Sequence, residues 1–451
     1  MEYLEGQQGA ILFNYNIVIK IKGARMLKEK FYEVLKEEVV PAFGCTEPVA
    51  VAYAAAKARE VLGKMPTSLE LTLSGNVLKN AMSVGIPGTG MKGINIAATV
   101  GIVGGDETAE LEVLKSITKE NVEQAKKLLE GNYITMKLST LPNKLYIKAK
   151  VFSGEEWAAV EIKDMHANIT KIEKNGEVIL EKKAECSNEN SKEDSGNRDF
   201  MTVKSIFEFI ENVDCSEIKF MEEAIKLNTI IAEEGLLNDY GLKVGKTRLD
   251  NSENEMLGNS IENYAIAMTA AASDARMAGS TLPVMTNSGS GNQGITATVP
   301  VIAVGMRMKV TPEELLKAVT LSSLIAIHMK NHLGRLSALC GCVIASTGSS
   351  CGISYLMGGK LPEIEGTIKN ILGNITGMFC DGAKPGCALK VATGVSAGIQ
   401  GAILANKGIV IGSDEGIVDE SIEKTIMNAC LIGREAMEET DKTILKIMVT
   451  K

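Results

Sequence analysis

Aromatic residues are scarce in this sequence: Phe, Tyr and Trp together make up 4% of it, with a single Trp. A core without them has to come from aliphatic side chains and close backbone approach. The 44 Gly and 21 Met agree with tightly packed helices that turn at Gly. Excess positive charge is missing too. The formal net charge of −8 argues against nucleic acid or an anionic membrane as the main partner. Two long stretches, 277–306 and 336–359, carry no charged residue. Clusters of Gly, Ser, Asn or Gln interrupt both, so they read as buried loops and helix ends rather than membrane spans. A targeting signal is not evident. Residues 10–21 are apolar but lack a preceding basic region and a small-residue cleavage site. No C-x-x-C occurs, which leaves structural zinc and ferredoxin-type spacing unsupported. The Gly-rich stretches fit neither the dinucleotide fingerprint nor the Walker loop, and no Lys stands in a recognisable pyridoxal phosphate context.

What remains is a chain of 451 residues with room for two or three domains and an ample core. The expected class is α+β: an N-terminal domain of helices and antiparallel sheet, then a mostly helical domain. Residues 1–25 read as an N-terminal extension, flexible or strand-like, or as the product of an upstream start codon before Met26. Residues 26–185 read as the α+β domain. An amphipathic helix begins at Leu27 with Phe31, Leu35 and Val39 on one face. Pro41 and Gly44 should end it, and Thr46 or Glu47 should cap the next helix, with Pro48 in its first turn. Leu69, Leu71 and Leu73 alternate with polar residues as in a half-buried strand. A helix is expected over 113–130. From 133 to 180 the period is two, with strands at 133–138, 144–152, 157–163, 167–173 and 177–180. Asn175-Gly176 marks a tight hairpin. Residues 186–198 are polar and charged throughout and read as a mobile linker. Residues 199–451 read as helices, including one capped by Thr311 with Pro312 and Glu314.

Nine cysteines without a signal peptide indicate a reducing compartment, and a cytoplasmic location is expected. There, grouped cysteines mean metal or catalysis more often than disulfides. Cys340, Cys342, Cys351, Cys380 and Cys387 form such a group, whereas Cys186 and Cys215 read as structural or incidental. The stretch Cys380-Asp381-Gly382-Ala383-Lys384-Pro385-Gly386-Cys387 favours an irregular backbone that can turn two thiolates toward one point. Widely spaced loop cysteines suit an iron–sulfur cluster in a folded pocket; buried free thiols account for the same spacing equally well. Cys45 lies just ahead of a helix N-terminus, where a thiolate is favoured; the alternative is a small buried hydrophobe. Residues 287–294 precede an apolar helix over 295–306, and their hydroxyls and amides suit the carboxylate or amine of a small polar substrate. The polar connections 74–80 and 86–90 could hold an anion through backbone N–H groups and Lys79, or serve as turns. His328 and His332 stand one helical turn apart but enclose no acidic partner of the zinc-protease kind, so they read as helix-end residues.

Gly44-Cys45-Thr46-Glu47-Pro48, Ser74-Gly75-Asn76, Ile86-Pro87-Gly88-Thr89, Ser288-Gly289-Ser290-Gly291-Asn292-Gln293-Gly294 and the Cys380–Cys387 loop together resemble the L-cysteine desulfidase family. That family is related to the iron–sulfur L-serine dehydratases of bacteria. The resemblance covers nearly the whole chain from about residue 26. It implies a [4Fe-4S] cluster held by Cys340, Cys380 and Cys387, with one iron open and Cys342 the doubtful neighbour. It further implies that Cys45 is the base and that L-cysteine is split into hydrogen sulfide, pyruvate and ammonia by an oxygen-sensitive carbon–sulfur lyase. Ser288, Ser290, Asn292 and Gln293, with Asn76 and Lys79, are the expected substrate contacts. An open iron suits the chemistry, being a thiophilic Lewis acid toward the β-sulfur. Two other readings are an iron–sulfur L-serine dehydratase and a non-catalytic iron–sulfur sensor; the polar 288–293 loop favours an enzyme. The expected partner is a small molecule, L-cysteine, with no nucleic acid or membrane, and a homo-oligomer is left open.

Overall fold

The computed structural model describes residues 25–182, 198–251, 253, 256–334 and 337–450. The expected extension up to residue 24, linker residues 186–197 and Cys186 lie outside the described residues.

Residues 25–38 form the first helix, α1. Phe31, Leu35 and Val39 are all buried, as their spacing predicts. Expected with the sheet, α1 packs instead on the helical core. Phe31 stacks on Phe209 at 4.8 Å and meets Phe200 edge-on at 5.1 Å. Buried Arg198 ties it there through Glu37 and Glu38, while also donating to Asn331. A short strand β1 (Pro41–Ala42) and helix α2 (Thr46–Leu62) follow.

Strand β2 (Ser68–Leu73) buries every second residue, as its Leu alternation requires. Helices α3 (Gly75–Ala81), α4 (Ile94–Gly104) and α5 (Lys119–Leu129) lead to strands β3 (Ile134–Leu138), β4 (Tyr146–Ser153), β5 (Glu156–Lys163), β6 (Ile169–Lys174) and β7 (Glu177–Glu181). The predicted helix over 113–130 is shorter, because Thr118 breaks in and caps α5 with a capping box to Asn121. The sheet runs β3-β2-β4-β5-β6-β7. It is mixed rather than purely antiparallel: β2 and β3 are parallel, since three helices lie between them and serve as the crossover a parallel pair needs. The β6–β7 turn is the expected hairpin, with Asn175 and Gly176 both at positive φ, 50° and 90°. Helix α2 covers one face of the sheet and α4 packs on α2, making one hydrophobic core.

The rest is helical: α6 (Val203–Asn212), α7 (Glu222–Leu237), α8 (Val244–Asp250) and α9 (Ile261–Met277). Strand β8 (Val284–Met285) precedes α10 (Gly291–Met308), α11 (Pro312–Leu333), α12 (Gly341–Leu356), α13 (Leu361–Asn374), α14 (Cys387–Ala405), α15 (Ile422–Leu431) and α16 (Glu438–Val449). The uncharged stretches prove to be mostly buried helices, α10 and α12, rather than loops. Small residues let these helices touch. A Cβ on Gly348 of α12 would strike the Ser322 carbonyl of α11. Among the described residues one helix, α14, is long and apolar enough to cross a membrane, and it is 50% buried. Thr311 caps α11 with its box to Glu314, as predicted.

Among the contacts that join the two cores, two involve whole elements. β1 pairs antiparallel with β8, Pro41 opposite Met285 and Ala42 opposite Val284. The last helix, α16, returns to pack on α3.

Candidate active site

Short local rules place four segments. Gly44 adopts φ +78°, turning the chain from β1 into α2, and Cys45 becomes the N-cap of α2 rather than the residue ahead of it. On the facing strand, β8 runs into the polar loop. Ser288 sits at φ +50° and donates its N–H to the Glu38 carbonyl at 3.0 Å, and Ser290 caps α10 by accepting from Gln293 N. The helix therefore starts inside the loop, at Gly291, not at Ile295 as expected. Cys340 caps α12, and Cys387 is the first residue of α14. Three of the singled-out cysteines thus stand at helix N-termini, whose partial positive charge favours bound anions and thiolates.

The thiols of Cys340 and Cys380 lie within reach of each other, and that of Cys387 is near enough to Cys380 to feel its charge. An antiparallel bridge joins Leu339 to Phe379, with Cys340 N donating to Met378 O at 2.9 Å and Cys380 N to Ala338 O at 2.6 Å. The Cys340 thiol lies within hydrogen-bonding reach of Cys342 and Cys380, and Cys387 feels the charge of Cys380. All three are pushed up from ordinary thiol values, Cys340 and Cys380 strongly: Cys340 first by its bond to Cys342, Cys380 by its bond to Cys340, Cys387 by burial. Sulfurs this close repel one another once ionised. A soft cation among them removes that repulsion and keeps them deprotonated, so the donor set fits a metal–thiolate centre. Cys342 is turned partly away, with Sγ 3.1 Å from Met378 Sδ and 3.6 Å from the Lys390 carbonyl. Cys351 drops out of the group: it is buried in α12, nine residues or about 13 Å beyond Cys342. Cys215 donates to the Glu313 carbonyl at 3.9 Å and Cys430 to the Met329 carbonyl at 3.4 Å, both away from the group.

The 380–387 loop is held from two sides. Asp381 pairs with Lys384 and Lys390, both within its own half of the molecule. Gly382, at φ +89°, lies so close to the Lys79 carbonyl of α3 that a Cβ would strike it. Lys79 is 2% exposed. It was expected to hold substrate, but its ammonium is committed to Asp441 of α16 and to the Cys380 carbonyl, at 3.4 Å. The next residue, Asn80, donates to Glu47 Oε1 at 3.0 Å. Two consecutive residues of α3 therefore link the cysteine loop to the Cys45 loop. Asn76 lies half-buried in the first turn of the same helix.

Composition and spacing did not single out Arg276, and gave Glu47 only a helix-capping role. Arg276, on α9 and 5% exposed, donates Nη2 to the Gly44 carbonyl at 3.1 Å and Nη1 to Asn292 Oδ1 at 3.3 Å. Its Nε is buried without a hydrogen-bond partner among the described residues. Gly291 has to be Gly, because a Cβ there would strike this guanidinium. A buried Arg beside Asn292 is legible only once the fold is known; the one sequence hint is the Asp274 and Arg276 charges near the end of a mostly apolar helix. Gln293 bonds Asn287 through Nε2, at 2.9 Å, and its Oε1 is buried without a partner among the described residues, facing Gly341 between Cys340 and Cys342. Asn292 and Gln293 thus border the Cys45 loop and the Cys340 loop respectively. Ser288 Oγ is turned to Asn287 and Ser290 Oγ to the helix cap.

Cys45 is 4% exposed and donates Sγ–H to Glu47 Oε2 at 3.4 Å. Burial, then the Glu47 charge, push its thiol up to about 12, with Arg276 opposing. The helix start does not make it a thiolate in this state, contrary to expectation, because desolvation and a carboxylate outweigh half a unit of dipole charge. Glu47 itself is held below the usual carboxylate value despite its burial, by His166, its own backbone N–H and Asn80. A separate cleft of about 430 Å³ beside β1, lined by Phe43, Pro87, Leu227 and Pro283 among others, contains no cysteine.

The profile of a family described as "Serine dehydratase alpha chain" matches residues 108–446, about three quarters of the chain. The chain is 46% identical to a UPF0597 protein of Oleidesulfovibrio alaskensis over 422 residues, covering 94% of this chain and 98% of that one. It is 44% identical to a UPF0597 protein of Parabacteroides distasonis over 94% of this chain and 99% of the relative. A third such protein, of Lachnoclostridium phytofermentans, is 45% identical over 93% and 99% respectively.

Proposed function

This chain belongs to the serine dehydratase alpha chain family, and on that premise we propose that it is a β-eliminating lyase acting on L-cysteine. Hydrogen sulfide, pyruvate and ammonia are the products. What supports the reading is the Cys340–Cys380 contact with Cys387 near Cys380, tied through Lys79 and Asn80 to Glu47 of the Cys45 helix start, with Gln293 Oε1 facing Gly341. These three thiolates would hold an iron–sulfur cluster of the [4Fe-4S] type. When bound, it supplies a thiophilic Lewis acid toward the β-sulfur.

The chain's own groups do the rest. Arg276 meets the substrate carboxylate with its uncommitted Nε–H, aided by the N-terminus of α10. Gln293 Oε1 accepts from the substrate ammonium, and Asn292, Ser288, Ser290 and Asn76 border the same space. Cys45 takes the α-proton. Because its thiol is protonated at neutral pH, the thiol proton first moves along the existing hydrogen bond to Glu47 Oε2. The transfer is uphill, given the raised thiol and the lowered carboxylate, so the thiolate is a minor, transient species. The thiolate so formed then removes the proton from Cα. As the Cα–H electrons form the C=C bond, the C–S bond breaks and its electron pair leaves with sulfur. The aminoacrylate released tautomerises and hydrolyses in water to pyruvate and ammonia. Lys79 is a positioning residue for Cys380 in this scheme.

A second reading, dehydration of L-serine, is favoured by the description of the matched family. Anaerobically purified protein assayed on both amino acids separates the two. Faster loss of L-cysteine, with sulfide and pyruvate in equal amounts, supports the desulfidase. Faster dehydration of L-serine overturns that substrate choice, and turnover of neither overturns the enzyme.

A further inference from the structure

The histidine pair of α11 has a use that its spacing alone did not reveal. His328 and His332 lie one turn apart, with ring centroids 5.0 Å from each other. The carboxylate that the sequence between them lacks comes from another helix. Glu423, in the first turn of α15, places Oε2 2.7 Å from His328 Nε2. One ligand atom from each of the three residues lies within 4.8 Å of the other two. We propose that His328, His332 and Glu423 form a binding site for a divalent transition-metal ion of the zinc class, separate from the cysteine group.

Two imidazoles and one carboxylate are a set that zinc accepts with a fourth position left for water. The outer contacts are of the kind that orient such ligands. Glu423 Oε1 accepts from Val203 N at 2.7 Å, which fixes the carboxylate and leaves Oε2 to point at the histidines. Arg434 Nη1 donates to the His332 carbonyl at 3.2 Å, holding the end of α11. Asp199 and Arg434, of opposite charge, both act on His332 and offset each other there. His328 is buried while His332 and Glu423 are half-buried, so the site opens to solvent on one side only. Ligands about 2.1 Å from a tetrahedral ion are roughly 3.4 Å apart, so the His328–Glu423 contact opens by well under an ångström when the ion enters. An ion there would pin the end of α11, the start of α15 and the start of α6. The chain segment leaving that end of α11 leads to Cys340, so the clamp would steady the thiol loop from outside.

The test is equilibrium dialysis of the full chain, purified without oxygen and with its iron intact, against buffered Zn²⁺, with zinc per chain read by mass spectrometry. His332→Ala and Glu423→Gln are compared with the parent, since both residues are half-exposed and Gln retains the bond to Val203. All three share the same cysteines, so zinc taken up by thiols is a common background. The expected result is one zinc per chain more in the parent than in either variant, with affinity falling at least about tenfold in each, the loss typical even of outer-shell changes. Far-UV circular dichroism and iron content should be unchanged. Equal zinc in all three proteins overturns the site and leaves His328–Glu423 a plain hydrogen-bonded pair.

Discussion

Glu47→Gln is the substitution that best isolates the chemistry of Cys45. The carboxylate sits 3.4 Å from Sγ and is the second cause, after burial, of the thiol's rise to about 12. Two charges at that distance interact by about 1 kcal/mol at the dielectric of water and about 5 kcal/mol at an effective value of 20. These are roughly one to three and a half pH units. Gln keeps the volume and removes the charge, while burial stays, so the lower figure is a floor. The thiolate fraction of Cys45 at pH 8 should therefore rise at least about tenfold, and with it the rate of alkylation by iodoacetamide, followed on the Cys45 peptide by mass spectrometry. Turnover should move the other way. Gln cannot accept the thiol proton, and loss of a proton-transfer group costs on the order of a hundredfold or more. Opposite signs in the two measurements are the signature of Glu47 as proton acceptor. If alkylation and turnover rise together, Glu47 merely raises the thiol pKa and the relay is wrong. If alkylation is unchanged, the Glu47 charge does not set the Cys45 pKa at all.

Cys340→Ala, Cys380→Ala and Cys387→Ala should each lose the iron and the brown absorption of anaerobically purified protein, while Cys215→Ala and Cys351→Ala keep both; loss in Cys342→Ala with retention in Cys340→Ala would reverse the assignment. Arg276→Lys keeps the charge but not the fork, and should raise KM for L-cysteine about 10- to 100-fold, the equivalent of one hydrogen bond to a charged group, at unchanged iron content. An unaltered KM would remove Arg276 from the carboxylate site. Asp274, buried on α9, is raised to about 6 by desolvation despite accepting from Gly245 and Leu242 N–H groups. A folded pKa above the unfolded one favours folding at low pH, and that contribution is lost as pH rises through about 6, in all about 3 kcal/mol. Urea unfolding should show the stability gap between the parent and Asp274→Asn changing by roughly half that amount between pH 5 and 7.5, and a constant gap would show that Asp274 does not titrate with folding.

Much of the architecture could be read from local pattern, because local pattern is what caps, turns and strands obey. Thr311-Pro312 starts α11, Asn175-Gly176 turns a hairpin, and Leu69, Leu71 and Leu73 face one side of β2, each through forces acting over a few residues. The same holds for Cys45 at its helix start, whereas Cys340 and Cys387, read as loop residues, prove to stand at helix starts only in the fold. Local pattern could not say that β2 and β3 run parallel, since direction is decided by the helices that cross between them. Nor could it say that α1 joins the helical core, because a hydrophobic face does not name its partner. The charge state of Cys45 shows the limit most clearly. Its position at a helix N-terminus favours the thiolate, but burial and a carboxylate two residues on push the other way, and burial exists only after the sheet and helices close over it.

The sequence by itself determined which residues can do chemistry here: the cysteines, the polar 288–294 loop, and the helix starts that present them. The tertiary structure decided which of them meet. It brought Cys380 to Cys340 through one backbone bridge and left Cys351 about three turns of helix away. It set Arg276 and Glu47 around Cys45, and it gave the histidine pair a carboxylate from 95 residues along the chain. The physical reason is one of range. Helix caps and turns are settled by neighbours in sequence, whereas charge, desolvation and ligand geometry depend on groups that only packing brings within a few ångströms.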